Sequence, residues 1–143
     1  MQWATTEFSY AIGAGAGVII DLLADWQTAA GENAKGITVL RQVGWIRANT
    51  INTAYRFGIR VGNETEDEDD FRPRTNPYQN WMLFGRVDQV DANELAGGAA
   101  FQRFDIRSRR RIDEIGQSLF FAAEADAGAP TGRLHWRGLL KVM

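Results

Sequence analysis

The chain contains no cysteine, one histidine, two lysines and three prolines. Without cysteine there is neither a disulfide framework nor a thiolate metal site, and the redox compartment is left undecided. With His135 as the sole imidazole, a cupin-like metal site and a zinc triad are excluded. Long apolar runs are missing as well. Phe8 to Ile20, the longest uncharged stretch near the start, is broken by Gly13, Gly15 and Gly17 and has no basic flank. It fits neither a signal peptide nor a spanning helix, so the expectation is a soluble chain with no membrane partner. The scarcity of lysine has its own meaning. Of 16 basic residues only Lys35 and Lys141 are lysine, and the planar arginine fork suits paired and interfacial contacts better than a solvated ammonium does. Codon usage would produce the same bias.

The formal net charge is -2. That disfavours a protein that binds nucleic acid by bulk electrostatics, although a local basic patch is compatible with it. At 143 residues the chain reads as one β-sandwich domain spanning residues 1–143, long enough to remove roughly 70% of its unfolded surface from water.

What is present is alternation. Leu134, Trp136, Leu140 and Val142 are interleaved with Arg133, His135, Arg137 and Lys141, the pattern of a strand with one buried and one polar face. This closing strand, with no polar tail after it, is expected inside a sheet. Tyr55, Phe57, Ile59 and Val61 alternate with Arg56, Gly58 and Arg60. Phe8, Tyr10 and Ile12 mark a first strand over Glu7–Ile12, and Val18–Ile20 a short second one. Asp21 is placed to cap a helix over residues 22–30, whose Leu22, Leu23 and Trp26 share a face as a lid on a β core.

In the stretch from Gly36 to Thr50, Ile37, Val39, Val43 and Trp45 fall on one side and Leu40 and Ile46 on the other, predicting a strand covered on both faces. Further strands are predicted at Trp81–Val90, Phe101–Ser108 and Gln117–Ala125. The spacing of these strands and the single early helix predict an all-β fold, an eight-stranded antiparallel jelly-roll-like sandwich with one short helix at about residues 22–30. Phe57, Ile59, Phe104, Ile106, Leu119, Phe121, Leu134, Trp136 and Leu140 are its expected core.

Two charged segments stand out. Glu64, Glu66, Asp67, Glu68, Asp69 and Asp70 crowd one loop, where they repel one another unless solvent, a cation or arginine screens them. The run lacks the alternating acidic spacing and the central glycine of a calcium loop, which favours a solvated or arginine-paired loop over a metal site. Arg107, Arg109, Arg110 and Arg111 form the densest basic cluster. Complementary segments of this kind predict a subunit interface between copies of the chain, with these ten residues as its members.

No catalytic residues, cofactor-binding residues or metal ligands are predicted. Gly13-Ala-Gly-Ala-Gly17 lacks the strand-to-helix setting of a phosphate loop, and adjacent Asp113 and Glu114 do not make an acid/base pair across a cleft. His135 is expected on the surface. The five tryptophans are expected mostly in the core, an exposed one being a natural contact point.

Phe104-Asp-Ile-Arg-Ser-Arg-Arg-Arg-Ile-Asp-Glu-Ile-Gly-Gln-Ser-Leu-Phe-Phe121, followed by Gly132 to Val142, resembles the closing strands of small single-jelly-roll virion structural proteins of capsid or head-decoration type. The likeness lies in the order of an arginine-bearing strand, a turn, a strand opening on Gly-Gln-Ser-Leu, and a terminal strand. It implies two Greek keys that assemble into, or decorate, a symmetric shell. Many small capsid proteins carry a basic N-terminal arm, whereas Met1 to Ile12 has no basic residue. The resemblance therefore leaves decoration, tail and empty-shell roles open beside genome contact. The expected function is a non-enzymatic, self-assembling particle protein located in a virion; the alternative is a β-sandwich binding module for carbohydrate or protein.

Overall fold

A computed structural model describes residues 1–13, 17–30, 36–49, 54–63, 66, 71–77, 80–87, 101–113, 116–125 and 128–142. Its elements are β1 (Gln2–Ala11), β2 (Gly17–Asp21), α1 (Ala24–Ala30), β3 (Ile37–Ala48), β4 (Tyr55–Asn63), β5 (Leu83–Val87), β6 (Phe101–Arg111), β7 (Gln117–Ala125) and β8 (Thr131–Val142). Every strand pairing is antiparallel. One sheet has the order β1-β8-β3-β6 and the other β2-β7-β4-β5. The chain changes sheet at every connection except β4 to β5, which is the jelly-roll winding expected from the sequence.

The two inner faces share one core. Leu134, Trp136, Leu140 and Ile46 from the first sheet meet Phe57, Ile59, Leu119 and Phe121 from the second. Phe104 packs against this cluster while only partly buried, and Ile106 is half-buried, because β6 is a sheet edge with a neighbour on one side only. Trp136 is wholly buried in this core. Its Nε1 donates to Oε1 of Gln42 at 2.9 Å, and the Gln42 amide points on toward the sulfur of Met82 at 3.7 Å. A wholly buried glutamine is tolerated here because the indole satisfies its oxygen. The Trp136 ring lies over Gly138 where any Cβ would collide with it. Across the same core the hydroxyls of Tyr10 and Tyr55 bond at 2.6 Å. Burial pushes the Tyr55 phenol up to about 12 and the Tyr10 phenol further still.

Strand β5 starts at Leu83 rather than Trp81, β6 runs on to Arg111 rather than ending at Ser108, and three further differences from expectation have a physical reason. The first strand starts at Gln2 rather than Glu7, because Trp3 to Thr6 pair with Leu139 to Trp136 of β8. Helix α1 begins two residues later than Leu22. The Leu22 N–H donates to the Leu119 carbonyl at 2.8 Å and the Leu23 N–H to Asp21 Oδ1 at 2.9 Å, so both leucines finish the turn out of β2. Asp21 therefore closes this turn rather than capping the helix, and its Oδ1 also accepts the Ser118 hydroxyl at 2.6 Å. The third difference is in β3, where the register shifts between Val39 and Arg41. This bulge reverses the alternation: Ile37 and Val39 face the core with Ile46 and Ala48, while Val43 and Trp45 turn outward.

Trp136→Phe removes the donor to Gln42 and part of the core volume, and is expected to destabilise by about 2–4 kcal/mol in urea unfolding. Adding Gln42→Leu, which removes the orphaned oxygen, is expected to recover part of that loss.

Candidate functional site

The outer faces of the two sheets differ in kind. On the β2-β7-β4-β5 sheet the outer face is covered by the chain itself: Phe71 and Trp81 pack with Phe120, Ala122 and Ile19. The Trp81 ring occupies the space above Gly58. The Arg60 guanidinium lies 4.6 Å from the centre of the Phe71 ring and 5.9 Å from that of Trp81. Its two terminal nitrogens donate to Glu66 Oε2 at 3.0 and 2.7 Å, and Glu66 Oε1 accepts the Asn63 N–H at 2.9 Å. Glu124, also buried, accepts the Thr75 N–H and hydroxyl at 2.8 Å each. As a result β4 and β7 are buried along nearly their whole length.

The outer face of the β1-β8-β3-β6 sheet is left open by the described residues. Strand alternation sends Arg133, Arg137 and Lys141 of β8 to this side, along with Arg41 and Arg47 of β3 and Arg103, Arg107, Arg109 and Arg111 of β6. Among the described residues these nine cations share the strands' outer face with two carboxylates, Glu7 and Asp105, and at its end Asp113 pairs with Arg111. Counting Asp113, six excess positive charges lie here, and with an overall charge of -2 the rest of the chain carries a net -8.

Both carboxylates are already answered. Arg41 grips Asp105 through two bonds of 2.9 and 2.6 Å, and holds its carboxyl below the usual range. Arg133 donates to Glu7 Oε1 at 3.0 and 2.6 Å, and His135 Nδ1 lies 3.3 Å from Oε2. Arg133, and after it His135, hold the Glu7 carboxyl low. Among the described residues Arg47, Arg103 and Arg109 have no ion pair of their own.

Aromatic rings are set among these charges. Trp45 stacks on His135 with centroids 5.6 Å apart and planes at 13°, so the expected surface histidine is half-buried under an indole. Trp3 is 42% exposed, with the Arg137 guanidinium 4.9 Å from its ring. At the far end Leu40, Arg41, Arg107, Ser108, Arg109 and Leu139 line a shallow groove. It lies where the β3 and β6 registers slip, Val39 facing Arg110 and Arg41 facing Arg107.

Of the ten residues predicted to form an interface, Arg107, Arg109 and Arg111 lie on this face and Arg110 stands opposite Val39, on the other phase of the strand. Arg111 pairs with Asp113 at 2.7 Å. Glu66 is bound to Arg60 of its own chain, while Glu64, Asp67, Glu68, Asp69 and Asp70 lie outside the described residues, and with them the region weighed as a calcium site. Among the described residues no three histidine, aspartate or glutamate side chains gather as a metal site, and no helix is long and apolar enough to cross a membrane. Sequence reasoning missed Arg41, Arg47, Arg103 and Trp45. The polar phase of each strand was visible, but not which strands would be neighbours.

A carboxylate held low in the folded chain contributes stability above its unfolded value and loses it as pH falls through the folded one. Melting temperature is therefore expected to drop on acidification below the ordinary glutamate value of 4.5. The Glu7→Gln, Asp105→Asn double variant is expected to show a shallower drop in melts taken from neutral pH downward; parallel curves would refute the assignment.

No family model matches the chain, and no curated protein matches it. Among solved structures it is similar to a chain from Desmodium yellow mottle tymovirus, at 6% identity and a TM-score of 0.38, covering 99% of this chain and 89% of that one. A likeness at that level assigns neither family nor function, and the functional reading rests on the sandwich and its charges.

Proposed function

We propose that the chain is a non-enzymatic structural subunit of a virus or phage particle, of capsid or head-decoration type, that assembles with copies of itself in the virion. The observation that carries this reading is the two-sidedness of the jelly roll. One sheet is sealed by its own chain, the other lies open with nine cations, and the balancing negative charge is elsewhere. Separate surfaces of opposite charge on a rigid body favour head-to-tail contacts, which close into rings and shells when the rotation allows.

In this reading the β6 edge supplies the cationic half of the contact through Arg107, Arg109, Arg110 and Arg111. The acidic segment from Glu64 to Asp70 of a neighbouring copy supplies the other half, less Glu66, which Arg60 occupies. Exposed pairs of this type are individually weak and screened by salt, so only their number makes an interface.

Native mass spectrometry and negative-stain imaging are expected to show closed assemblies at low ionic strength that dissociate as salt rises. Replacing Arg109, Arg110 and Arg111 by Glu is expected to abolish them, and reversing the acidic segment to Lys in that background to restore them in part. A triple variant that assembles normally would reject the pairing, and a wild-type chain that stays monomeric at all salt concentrations would reject the particle reading.

A further inference from the structure

We propose that β1 is an interface strand: its free edge pairs antiparallel with β1 of a second copy about a two-fold axis, joining two β1-β8-β3-β6 sheets into one of eight strands. This adds to the particle reading a contact made of backbone hydrogen bonds, measurable where the charged contact is switched off.

The sandwich has four edge strands, β1 and β6 in one sheet and β2 and β5 in the other. A free edge is a template for another chain, and proteins guard it by shortness, like charge, proline or a bulge. Strands β2 and β5 are five residues each. Strand β6 is longer, but it carries five arginines and its ladder to β3 slips at a bulge. Strand β1 has none of these guards. It runs for ten residues with Glu7 as its one charge and no proline, and its register against β8 is unbroken from Gln2 to Ala11.

The backbone phase fixes which groups this edge offers. The Ile12 N–H donates to the Pro130 carbonyl at 2.9 Å and continues the β1–β8 register, so the even-numbered residues of β1 bond to β8. Trp3, Thr5, Glu7, Ser9 and Ala11 therefore turn their N–H and C=O groups to the free edge, where no described strand meets them. The turn before α1 touches β1 from beneath instead, through the Leu22 carbonyl that accepts the inward-facing Thr6 hydroxyl at 2.9 Å.

A second copy of β1 fits this edge in one register. Edge-facing residues must meet edge-facing residues, so the numbers of opposed residues add to an even total. A total of 14 sets Glu7 against its own copy, where like charges repel, and a total of 10 leaves Ser9 and Tyr10 outside the ladder. At 12, Gln2 through Tyr10 all pair. Trp3 then faces the partner's Ser9, Thr5 the partner's Glu7, and half-buried Phe8 the partner's Ala4, so that Trp3 and Phe8 each meet a small residue. The cationic faces do not oppose the join. Arg133 and Arg137 of β8 lie three strand spacings from their copies, about 14 Å, which exceeds the screening length of ~8 Å at physiological ionic strength.

Sedimentation and native mass spectrometry at about 1 M salt, where screening is ~3 Å and arginine–carboxylate contacts are lost, are expected to show a dimer. Thr5→Pro removes an N–H that faces only the free edge, which leaves the β1–β8 ladder whole. It is expected to convert the dimer to a monomer, with thermal melts confirming the fold. Because the chain has no cysteine, single-cysteine variants read the register, whether or not the proline variant folds. In the paired strands Trp3 and the partner's Ser9 lie about 5.5 Å apart at Cα, within disulfide reach. Oxidising a mixture of Trp3→Cys and Ser9→Cys protein is expected to give a covalent heterodimer. Either variant alone, its two cysteines about 20 Å apart, is expected to give none.

A wild-type monomer at about 1 M salt, a dimer unaffected by Thr5→Pro, or cross-linking no greater in the mixture than in the single variants would each overturn the proposal. The two readings separate cleanly. Closed assemblies at low salt that fall apart to monomers at high salt overturn the β1 contact and leave the particle reading intact. Dimers that form no closed assembly at any salt concentration support the β1 contact and overturn the particle reading.

Discussion

Eight strands folded into two sheets present four faces, and one core buries only two of them. Each outer face must then be covered or be made of side chains that tolerate water. This chain uses both solutions, one per sheet. Over the β2-β7-β4-β5 sheet the segment around residues 71–82 is drawn down by Phe71 and Trp81, with Arg60 held between their rings and Glu66. Burying a guanidinium is unfavourable unless it is paired, and here a carboxylate and two aromatic faces offset the lost hydration. The other sheet receives no such cover among the described residues, and the charges on its outward phase are mostly cationic. The asymmetry of the molecule follows from that division.

Much of the sandwich could be read from alternation. Phe57, Ile59, Leu119, Phe121, Leu134, Trp136 and Leu140 are all in the core, because each sits in a strand whose period of two is unbroken. Reading β3 by the same rule fails. A bulge beside Leu40 inserts a residue that changes no composition and leaves no local mark, yet it sends Val43 and Trp45 to the opposite side from Val39. Leu22 and Leu23 read as helix for a related reason: a short apolar pair after a cap looks the same whether it turns or winds, and the bond from Leu22 to Leu119 is a tertiary decision.

The candidate site was legible only in fragments. In sequence the densest cluster is Arg107 to Arg111, but a strand splits such a run, and Arg110 falls on the phase opposite to Arg109 and Arg111. Conversely Arg47, Arg103 and Arg133 are far apart in the chain and close in space, since β8 lies between β1 and β3 and β3 between β8 and β6. A net charge averages over faces and cannot register that arrangement. Summing charge along the outward phase of each strand would have found it, once strand order was known.

The pairing of β1 with β8 sets when this surface can exist. Gln2 faces Leu140 and Ala11 faces Thr131, so β1 finds its partner only in β8, and β8 is also the sole link between β1 and β3. During synthesis β1 must wait, unpaired along both edges, until all the strands between them and then β8 itself have left the ribosome. Only then do Glu7, Arg133 and His135 meet and the arginines of three strands come to lie side by side. Emergence of β8 thus acts as a timer: a nascent chain that lacks it has no finished cationic face with which to capture a ligand or a neighbour prematurely.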